Sequence, residues 1–402
     1  MSSSEPQHAA PRRGLLLADH YPPMRGGIAR YLETLVRESS GALRVVAPRE
    51  PGAGSDPAVA ARVDFFRRCA SGKIYKALRW WIEARLAAAA WSAHRAAPFD
   101  CAIAGSMDMA PAAARFARRA GIPWFVCAYG NDLCPTSASS YARWEKRRHL
   151  RIAARADGAI AISRFTAAMM QERGIAEKRI AIVYPALPLD QPPARACAAR
   201  EEALRGRDPV ALSVGGLVAR KNHLGALDAL APLRIEFPAL FYAIAGAGPM
   251  EREIRRKIDA LGMSGCACIW SDLGDAEIEA LYSRASVFLL PSLDLRASAG
   301  SIEGFGIVYL EAARAGLPCV AGRAGGAAEA VLDEETGLLA DPADPASIRA
   351  ALARLFRDPL LRQRLGQAAR RRFEAEFTAR RSWEAFERAV AWQSCAAKRE
   401  QK

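Results

Sequence analysis

Short apolar runs alternate with longer amphipathic stretches along the whole chain. In residues 14–192 the runs are LLLA (15–18), LRVVAP (43–48), FDCAIAG (99–105), PWFVCAY (123–129), GAIAIS (158–163) and IAIVYP (180–185). In the remainder they are VALSVGG (210–216), LFYAIAG (240–246), CACIWS (266–271), VFLLPS (287–292) and LPCVAG (317–322). Apolar runs that alternate with helical patterns predict parallel strands covered by helices on both faces. The sequence therefore predicts an α/β protein with two doubly wound, Rossmann-like domains.

A Pro- and Ala-rich stretch, LPLDQPPARACAARE at 187–201, separates the two series of runs. We expect a disordered tail at 1–13, where no apolar signal-peptide core is visible. The first domain is expected at 14–192 and the second at 193–379, with a last helix at 380–395 that packs back on the first domain. Ligands of such sheets bind beyond the carboxyl ends of the strands, so we expect a cleft between facing domains.

Charge is divided unequally between the two predicted domains. The 402 residues carry a net charge of +14, and residues 1–192 hold 28 Lys/Arg against 16 Asp/Glu, a net charge of +12. This asymmetry predicts an anionic partner for the first domain: membrane lipid, an acidic substrate or nucleic acid. No apolar run reaches the roughly 18–20 residues of a membrane span. The nine cysteines are scattered without a zinc pattern, which favours a reducing cytoplasm.

Three glycine-rich turns stand where a strand should pass into a helix. They are YPPMRGGIARY (21–31), VGGLVARKNH (214–223) and EGFGIVYLE (303–311). Glycine lets backbone N–H groups approach an anion, and a helix N-terminus adds a favourable dipole. Lys221 supplies a point charge that suits a diphosphate. Glu303 and Glu311 would then accept hydrogen bonds from hydroxyl groups, and a ligand with a diphosphate and many hydroxyls is a nucleotide sugar.

Each turn also has a plain structural interpretation. Gly26 and Gly27 alone can form a packing turn, Lys221 alone can be a solvated lysine, and Glu311 can be an exposed helix residue. The stretch AGAGPME (245–251) lacks the third glycine of a dinucleotide fingerprint. The order and joint occurrence of the three turns are more specific than any one of them.

Taken together, the motifs resemble the retaining GT-B glycosyltransferases of the family 4 type. The resemblance is carried by Gly26-Gly27, RKN (220–222), AGAGP (245–249), LPS (290–292), EGFGIVYLEAARAGLPCVAG (303–322), GGAAEAV (325–331) and TGLLADPAD (336–344). The segment GIVYLEA most resembles the corresponding segment of phosphatidylinositol mannosyltransferase-like members of the family. The resemblance implies a GT-B fold and transfer of a hexose, of mannose or glucose type, from a GDP- or UDP-linked sugar. The implied acceptor is a lipid-linked or cell-envelope glycan.

The resemblance also implies roles for individual residues. Glu303 would hold the hydroxyls of the transferred sugar, and Glu311 would hold the nucleotide ribose. The diphosphate would be bound by Lys221, with Arg220 as a second cation. Backbone amides near the diphosphate and sugar would come from Gly26, Gly27, Phe305, Gly306 and Ile307.

Two positions depart from the family pattern. Gly216 stands where an arginine is common, and Arg220 is the expected substitute for its charge. Tyr129, in YGND (129–132), stands where a histidine is common; its backbone carbonyl would still face the anomeric centre, so we expect altered donor preference more than lost activity.

The implied mechanism uses neither metal nor cofactor. No Asp-x-Asp motif lies at a predicted strand end, and no nucleophile stands beside a base. In the family, the leaving phosphate is thought to take the acceptor's proton on the face from which it departs. Catalysis would then consist of positioning and of stabilising the departing diphosphate.

The first domain contains an amphipathic basic stretch, GKIYKALRWWIEARL (72–86). At helical spacing Lys73, Lys76 and Arg79 share a face with Trp80, which suits an anionic membrane interface. The alternative is that its apolar face packs on its own sheet and the basic face is merely solvated. RWEKRRHLR (143–151) is a second basic cluster with the same two interpretations.

Two other functions stay open from the sequence. A basic binding protein that holds nucleic acid would explain the charge, but it leaves Glu303 and Glu311 unexplained and no nucleic-acid motif supports it. A nucleotide-sugar epimerase of the same architecture would explain the site. For the transferase we expect a cytoplasmic location, with peripheral attachment to the inner face of the cytoplasmic membrane.

Overall fold

The structure is a computed structural model. It describes residues 13–22, 24, 26–49, 63–67, 79–134, 139–190 and 197–400, with the backbone alone at 48–49, 63–67, 79–82, 198–199 and 392–400.

The first sheet is built from the first half of the chain. Its strands are β1 (Gly14–Leu17), β2 (Leu43–Arg49), β3 (Val63–Arg67), β4 (Cys101–Ala104), β5 (Trp124–Ala128), β6 (Gly158–Ala161) and β7 (Ile180–Ile182). All neighbours pair in parallel, in the order β3-β2-β1-β4-β5-β6-β7. Leu16 packs in the core on one face of the sheet, whereas Leu15 and Leu17 pack on the other. Both faces are therefore buried, as near-continuous apolar strands require.

The second sheet repeats this design. Its strands are β8 (Val210–Val214), β9 (Phe241–Ala245), β10 (Ala267–Trp270), β11 (Val287–Leu290), β12 (Cys319–Gly322) and β13 (Gly337–Ala340). They are parallel, in the order β10-β9-β8-β11-β12-β13. The strand order reverses direction between β1 and β4 in one sheet and between β8 and β11 in the other. Loops that leave the carboxyl ends of these strands are the expected ligand-binding loops of such sheets.

Helices cover the two sheets. In the first half they are α1 (Gly27–Glu38), α2 (Arg79–Ala96), α3 (Ala110–Ala120), α4 (Ser140–Ala153) and α5 (Arg164–Glu172). In the second half they are α6 (Ala198–Leu204), α7 (His223–Leu230), α8 (Glu251–Ala260), α9 (Asp275–Arg284), α10 (Ile307–Arg314), α11 (Ala327–Ala330), α12 (Pro345–Arg357), α13 (Pro359–Glu376) and α14 (Ala379–Glu400). Side-chain caps fix the N-termini of two helices. The Ser163 hydroxyl accepts the Thr166 N–H at the start of α5, and the Asp344 carboxylate caps α12, whose first residue is Pro345.

The predicted fold class is confirmed: each of the eleven apolar runs overlaps a strand. Two strands were missed, β3 and β13, and each lies at an edge of its sheet. The sequence of β3, VDFFR, carries charges that a central strand would bury, and β13 is four residues long between turn-like flanks. Edge strands tolerate such sequences because one side of the strand is unpaired.

The end of the chain returns to the first sheet. Leu187 bridges to Thr378, and the Ser382 hydroxyl donates to the Tyr184 carbonyl at 2.8 Å. Helix α14 then packs against α1 and β6. Among the helices in the described residues, none has both the length and the apolar character needed to cross a membrane.

Candidate functional site

Two helices, one from each half of the chain, meet at their N-termini. Helix α1 begins at Gly27 and α10 at Ile307, and a Cβ at Gly27 would lie 3.2 Å from the Ile307 Cδ1 atom. Gly26 (φ 148°) and Gly306 (φ 88°) precede the two helices in conformations that favour glycine. First-turn N–H groups have no partner within their own helix, so two positively polarised helix ends lie beside each other here.

Lys221 and Glu303 form a buried ion pair between two of the predicted turns. The Lys221 Nζ atom donates to the Glu303 Oε2 atom at 2.5 Å, and both side chains are at least nine-tenths buried. The Arg220 Nε atom lies 3.9 Å from the same oxygen, and its side chain is 23% exposed. The structure therefore brings the three predicted residues together, with Lys221 in direct contact with Glu303 and Arg220 at a longer distance.

The charge state of Glu303 follows from this arrangement. Burial alone would raise the pKa of the Glu303 carboxyl, but the Lys221 ammonium and the Arg220 guanidinium outweigh burial and hold that pKa below its ordinary value. The carboxylate is thus ionised at neutral pH and can accept hydrogen bonds from hydroxyl groups.

The loop that carries Glu303 is held by close backbone contacts from both halves of the chain. A Cβ at Gly304 would clash with the Tyr129 carbonyl oxygen, and a Cβ at Gly326 would clash with the Gly304 carbonyl oxygen. The Ser163 hydroxyl donates to the Gly304 carbonyl at 2.7 Å, and the Gly326 N–H donates to the Glu303 carbonyl at 2.9 Å. The glycines of GGAAEAV (325–331) therefore allow the backbone there to pack closely against the Glu303 loop.

Phe305 anchors the same loop in the core. Its ring is fully buried and lies 5.6 Å from the Tyr184 ring and 5.7 Å from the Phe377 ring, measured between centroids. The side chain thus anchors the backbone that leads into α10, which begins at Ile307. This agrees with a backbone role for Phe305, Gly306 and Ile307, which stays a prediction.

Tyr129 is buried, and its side chain packs in the core rather than projecting from it. Its ring lies edge-on to Tyr31, with centroids 6.4 Å apart. Its N–H donates to the Asp132 carboxylate at 2.8 Å, and burial raises the pKa of that carboxyl to about 6. The carbonyl of Tyr129, not its phenol, is the group that meets the Glu303 loop.

Glu311 is buried on α10 with both carboxylate oxygens engaged. Its Oε1 atom accepts from the Arg30 Nη1 atom at 2.8 Å, and its Oε2 atom accepts from the Tyr282 hydroxyl at 2.8 Å. Arg30 also pairs with Asp275. The alternative of an exposed Glu311 is therefore wrong, because only 6% of the side chain is accessible. Arg30, Tyr282 and Asp275 were not identified from the sequence, although Arg30 closes the GGIAR segment.

A second carboxylate links the two halves beside the site. Glu329 of α11 accepts the N–H groups of Arg164 and Phe165 at the start of α5, each at 2.8 Å, and the Tyr184 hydroxyl at 3.1 Å. Sequence reasoning missed this residue too, since its partners lie more than 140 positions away.

The predicted membrane-facing residues fall largely outside the described part of the chain. Lys73 and Lys76 lie outside the described residues, and only the backbone of Arg79 and Trp80 is described, at the start of α2. Their role stays a prediction.

The second basic cluster divides into a buried part and an exposed part. Arg148 binds the buried Glu83 carboxylate through two hydrogen bonds of 3.0 and 2.9 Å, and His149 lies buried between Glu83 and Asp108. The exposed part is an aromatic–arginine surface on α4, which consists of Tyr141, Arg143, Trp144, Arg147 and Arg151. The Tyr141 and Trp144 side chains are 49% and 55% exposed, and their ring centroids lie 5.9 Å apart.

No group of three or more potential metal ligands occurs among the residues that the structure describes.

Comparison with known proteins assigns the family. Residues 25–191 match the family described as Glycosyltransferase Family 4, and residues 197–372 match Glycosyl transferases group 1. A relative from Mycolicibacterium smegmatis is 32% identical over 367 residues, which cover 89% of this chain and 92% of the relative. The chain belongs to the family 4 glycosyltransferases. That relative is named GDP-mannose-dependent alpha-(1-6)-phosphatidylinositol monomannoside mannosyltransferase.

Other relatives of this glycosyltransferase are similar over part of the chain or in fold alone. Glycogen synthase from Mycobacterium tuberculosis is 34% identical over 188 residues, covering 47% of this chain and 42% of that protein. HepE from Anabaena, solved with UDP-glucose, superposes with a TM-score of 0.74 at 18% identity, covering 94% and 99% of the two chains. Sucrose-phosphate synthase from Thermosynechococcus elongatus has a TM-score of 0.75 at 20% identity, covering 96% and 100%. These structures confirm the GT-B fold, with two Rossmann-like domains facing across a cleft.

Proposed function

We propose that this glycosyltransferase moves a hexose from a nucleotide diphosphate sugar to a lipid-linked or cell-envelope glycan acceptor, with retention of anomeric configuration. The observation that carries the proposal is the buried Lys221–Glu303 pair beside two converging helix N-termini. The M. smegmatis relative favours GDP-mannose as the first donor to test. UDP-glucose is the second candidate, because HepE was solved with that sugar nucleotide.

In the proposed reaction, the diphosphate lies between the starts of α1 and α10. The N–H groups of Gly26, Gly27, Gly306 and Ile307 donate to its oxygens, and Lys221 offsets the charge that grows as the bond to the sugar breaks. Glu303 accepts hydrogen bonds from hydroxyls of the transferred sugar. The acceptor hydroxyl forms the new bond on the face that the diphosphate leaves, and its proton passes to the departing phosphate oxygen. No metal or cofactor takes part in this scheme.

The test is release of nucleotide diphosphate from GDP-mannose, UDP-glucose and their epimers, with and without a phosphatidylinositol-mannoside acceptor extract, in buffer containing excess EDTA. We expect acceptor-dependent release in EDTA and an axial anomeric bond in the product by NMR. An equatorial product would refute retention, and loss of activity that magnesium restores would refute the metal-free scheme. Conversion of the donor sugar without acceptor would favour the epimerase.

We further propose that the first domain docks on anionic membrane. The net charge of +12 in residues 1–192 supports this, as does the α4 aromatic–arginine surface. Each cation near an anionic surface contributes roughly 1 kcal/mol, and the attraction fades beyond about 10 Å at moderate salt. Arginines beside an exposed tryptophan and tyrosine suit the lipid headgroup region.

Co-sedimentation with phosphatidylglycerol vesicles at low and high salt tests this docking. Two variants test the two basic clusters separately: Lys73/Lys76/Arg79→Glu, and Arg143/Arg147/Arg151→Glu. If the wild type binds the vesicles in a salt-sensitive manner and one variant does not, the residues changed in that variant form the membrane contact. Wild-type protein that stays in the supernatant at low salt would instead mean that the charge serves a soluble acidic acceptor.

A further inference from the structure

Arg30 lies on the first turn of α1, in the first domain, yet its partners belong to the second domain. Its Nη1 atom donates to the Glu311 Oε1 atom at 2.8 Å, and its Nη2 atom pairs with the Asp275 carboxylate. Partial burial by itself lowers the pKa of the Arg30 guanidinium, but the negative charges of Glu311 and Asp275 outweigh burial and raise that pKa. Arg30 is therefore a charged bridge across the cleft, bound to a carboxylate predicted to hold the nucleotide.

We propose that Arg30 is a positioning residue for the donor nucleotide, which reaches from the first domain to orient the Glu311 carboxylate of the second domain for binding ribose. The inference rests on the proposed function for the identity of the ligand. It concerns Arg30, which supplies no group to the reacting atoms.

The geometry indicates that Arg30 orients the Glu311 carboxylate for ribose and does not block it. A carboxylate offers about four lone-pair sites. Arg30 and Tyr282 each use one, on different oxygens of Glu311. Two acceptor sites remain, which matches the two neighbouring hydroxyls of a ribose. The two bonds fix the plane of the carboxylate, so less orientational freedom is lost when ribose binds.

Asp275 explains how Arg30 is itself held. It is the first residue of α9, and the start of that helix is fixed by Glu277, which accepts the Gly274 N–H at 2.9 Å. Asp275 is 68% exposed, and its described contact is with Arg30. A change at Asp275 therefore alters Arg30 without touching the ribose site.

The experiment is isothermal titration of GDP and of UDP into wild type, Arg30→Ala, Arg30→Lys, Asp275→Asn and the Arg30→Ala/Asp275→Asn double variant. Arg388→Ala, an exposed arginine of α14, is the control for loss of one positive charge. We expect Arg30→Ala to weaken the preferred nucleotide about tenfold, as for a lost charged hydrogen bond. Arg30→Lys should restore part of the affinity, because it keeps the charge but bridges two carboxylates less well.

The double variant distinguishes coupling from general damage. If Asp275 acts through Arg30, the double variant binds nucleotide no more weakly than Arg30→Ala alone. In turnover assays the donor KM should rise while the acceptor KM is unchanged, a split that simple destabilisation would not produce.

Two outcomes would overturn the inference. Tighter nucleotide binding by Arg30→Ala would mean that Arg30 competes with ribose for Glu311, and equal binding would mean that it has no part in the site. If wild type binds neither GDP nor UDP, the proposed function fails together with the inference. If the wild type binds GDP or UDP and Arg30→Ala binds the nucleotide equally well, the inference fails but the proposed function does not.

Discussion

The Lys221–Glu303 pair offers a test that separates the stability of the site from its chemistry. Lys221→Met removes the ammonium but keeps the length of the side chain, and Glu303→Gln removes the carboxylate charge with little change of shape. Each single change leaves one buried charge without its partner at 2.5 Å. Breaking a buried ion pair in this way costs about 3–5 kcal/mol. Arg220, at 3.9 Å from the Glu303 oxygen, should keep the cost of Lys221→Met near the lower limit.

The double variant should recover much of that stability. Replacing both members of a buried ion pair by neutral groups of similar volume is often close to neutral, because no charge is then left unpaired. We therefore expect a coupling free energy of at least about 2 kcal/mol between the two positions. Urea unfolding followed by circular dichroism, with the transition of the second domain fitted separately, gives the four free energies.

Activity should not recover with stability. If Lys221 stabilises the departing diphosphate, the double variant is folded and stable but slow, since the cation is absent at the developing charge. A double variant with near-wild-type turnover would limit Lys221 to holding Glu303 in place. Additive free energies of unfolding would refute the reasoning at its first step, because they would mean that the two buried charges do not stabilise each other.

Three further predictions follow from single residues. Glu311→Ala should weaken nucleotide diphosphate binding by about 1–3 kcal/mol, measured by titration against the exposed control Glu335→Ala; equal affinities would remove Glu311 from the site. Lys221→Ala should lower turnover more than Arg220→Ala, because Lys221 makes the direct contact; the reverse order would move the phosphate role to Arg220. Burial, aided by Lys221, lowers the pKa of His223 to about 4, so the unfolded chain takes up the proton first on acidification. Stability should then rise with pH between about 4 and 6.5, by up to about 3 kcal/mol, and a His223→Gln variant with the same slope would contradict this origin.

The strands could be predicted from the sequence because burial on both faces leaves a strong local signal. Runs such as VFLL and WFVCA are apolar throughout, and each lies inside its sheet. The edge strand β3 carries a weaker signal because two of its five residues, VDFFR, are charged, and β13 is short, with only four residues. The pattern thus identified all the central strands but only two of the four edge strands, β7 and β10.

The site could be predicted only as far as it is local in the chain. Lys221, Glu303 and Glu311 were found because each lies in or beside a glycine-rich turn. Arg30 and Glu329 were missed because their partners lie 281 and about 165 positions away, and no short pattern encodes the approach of two domains. The basic clusters show the same limit: total charge can be read from the sequence, but not that Arg148 is neutralised by a buried Glu83.

The converging helix ends connect donor binding with domain closure. Each helix N-terminus carries about half a positive charge, and the ends of α1 and α10 approach each other where Gly27 meets Ile307. Arg220 adds charge nearby, whereas that of Lys221 is offset by Glu303. Closure thus brings like partial charges together and is opposed unless an anion lies between them. A diphosphate would supply that anion, so a ligand bound in the cleft should favour the closed arrangement, and closure should in turn favour the ligand. The Arg30 bridge acts in the same direction, since it joins α1 to the carboxylate beside the nucleotide.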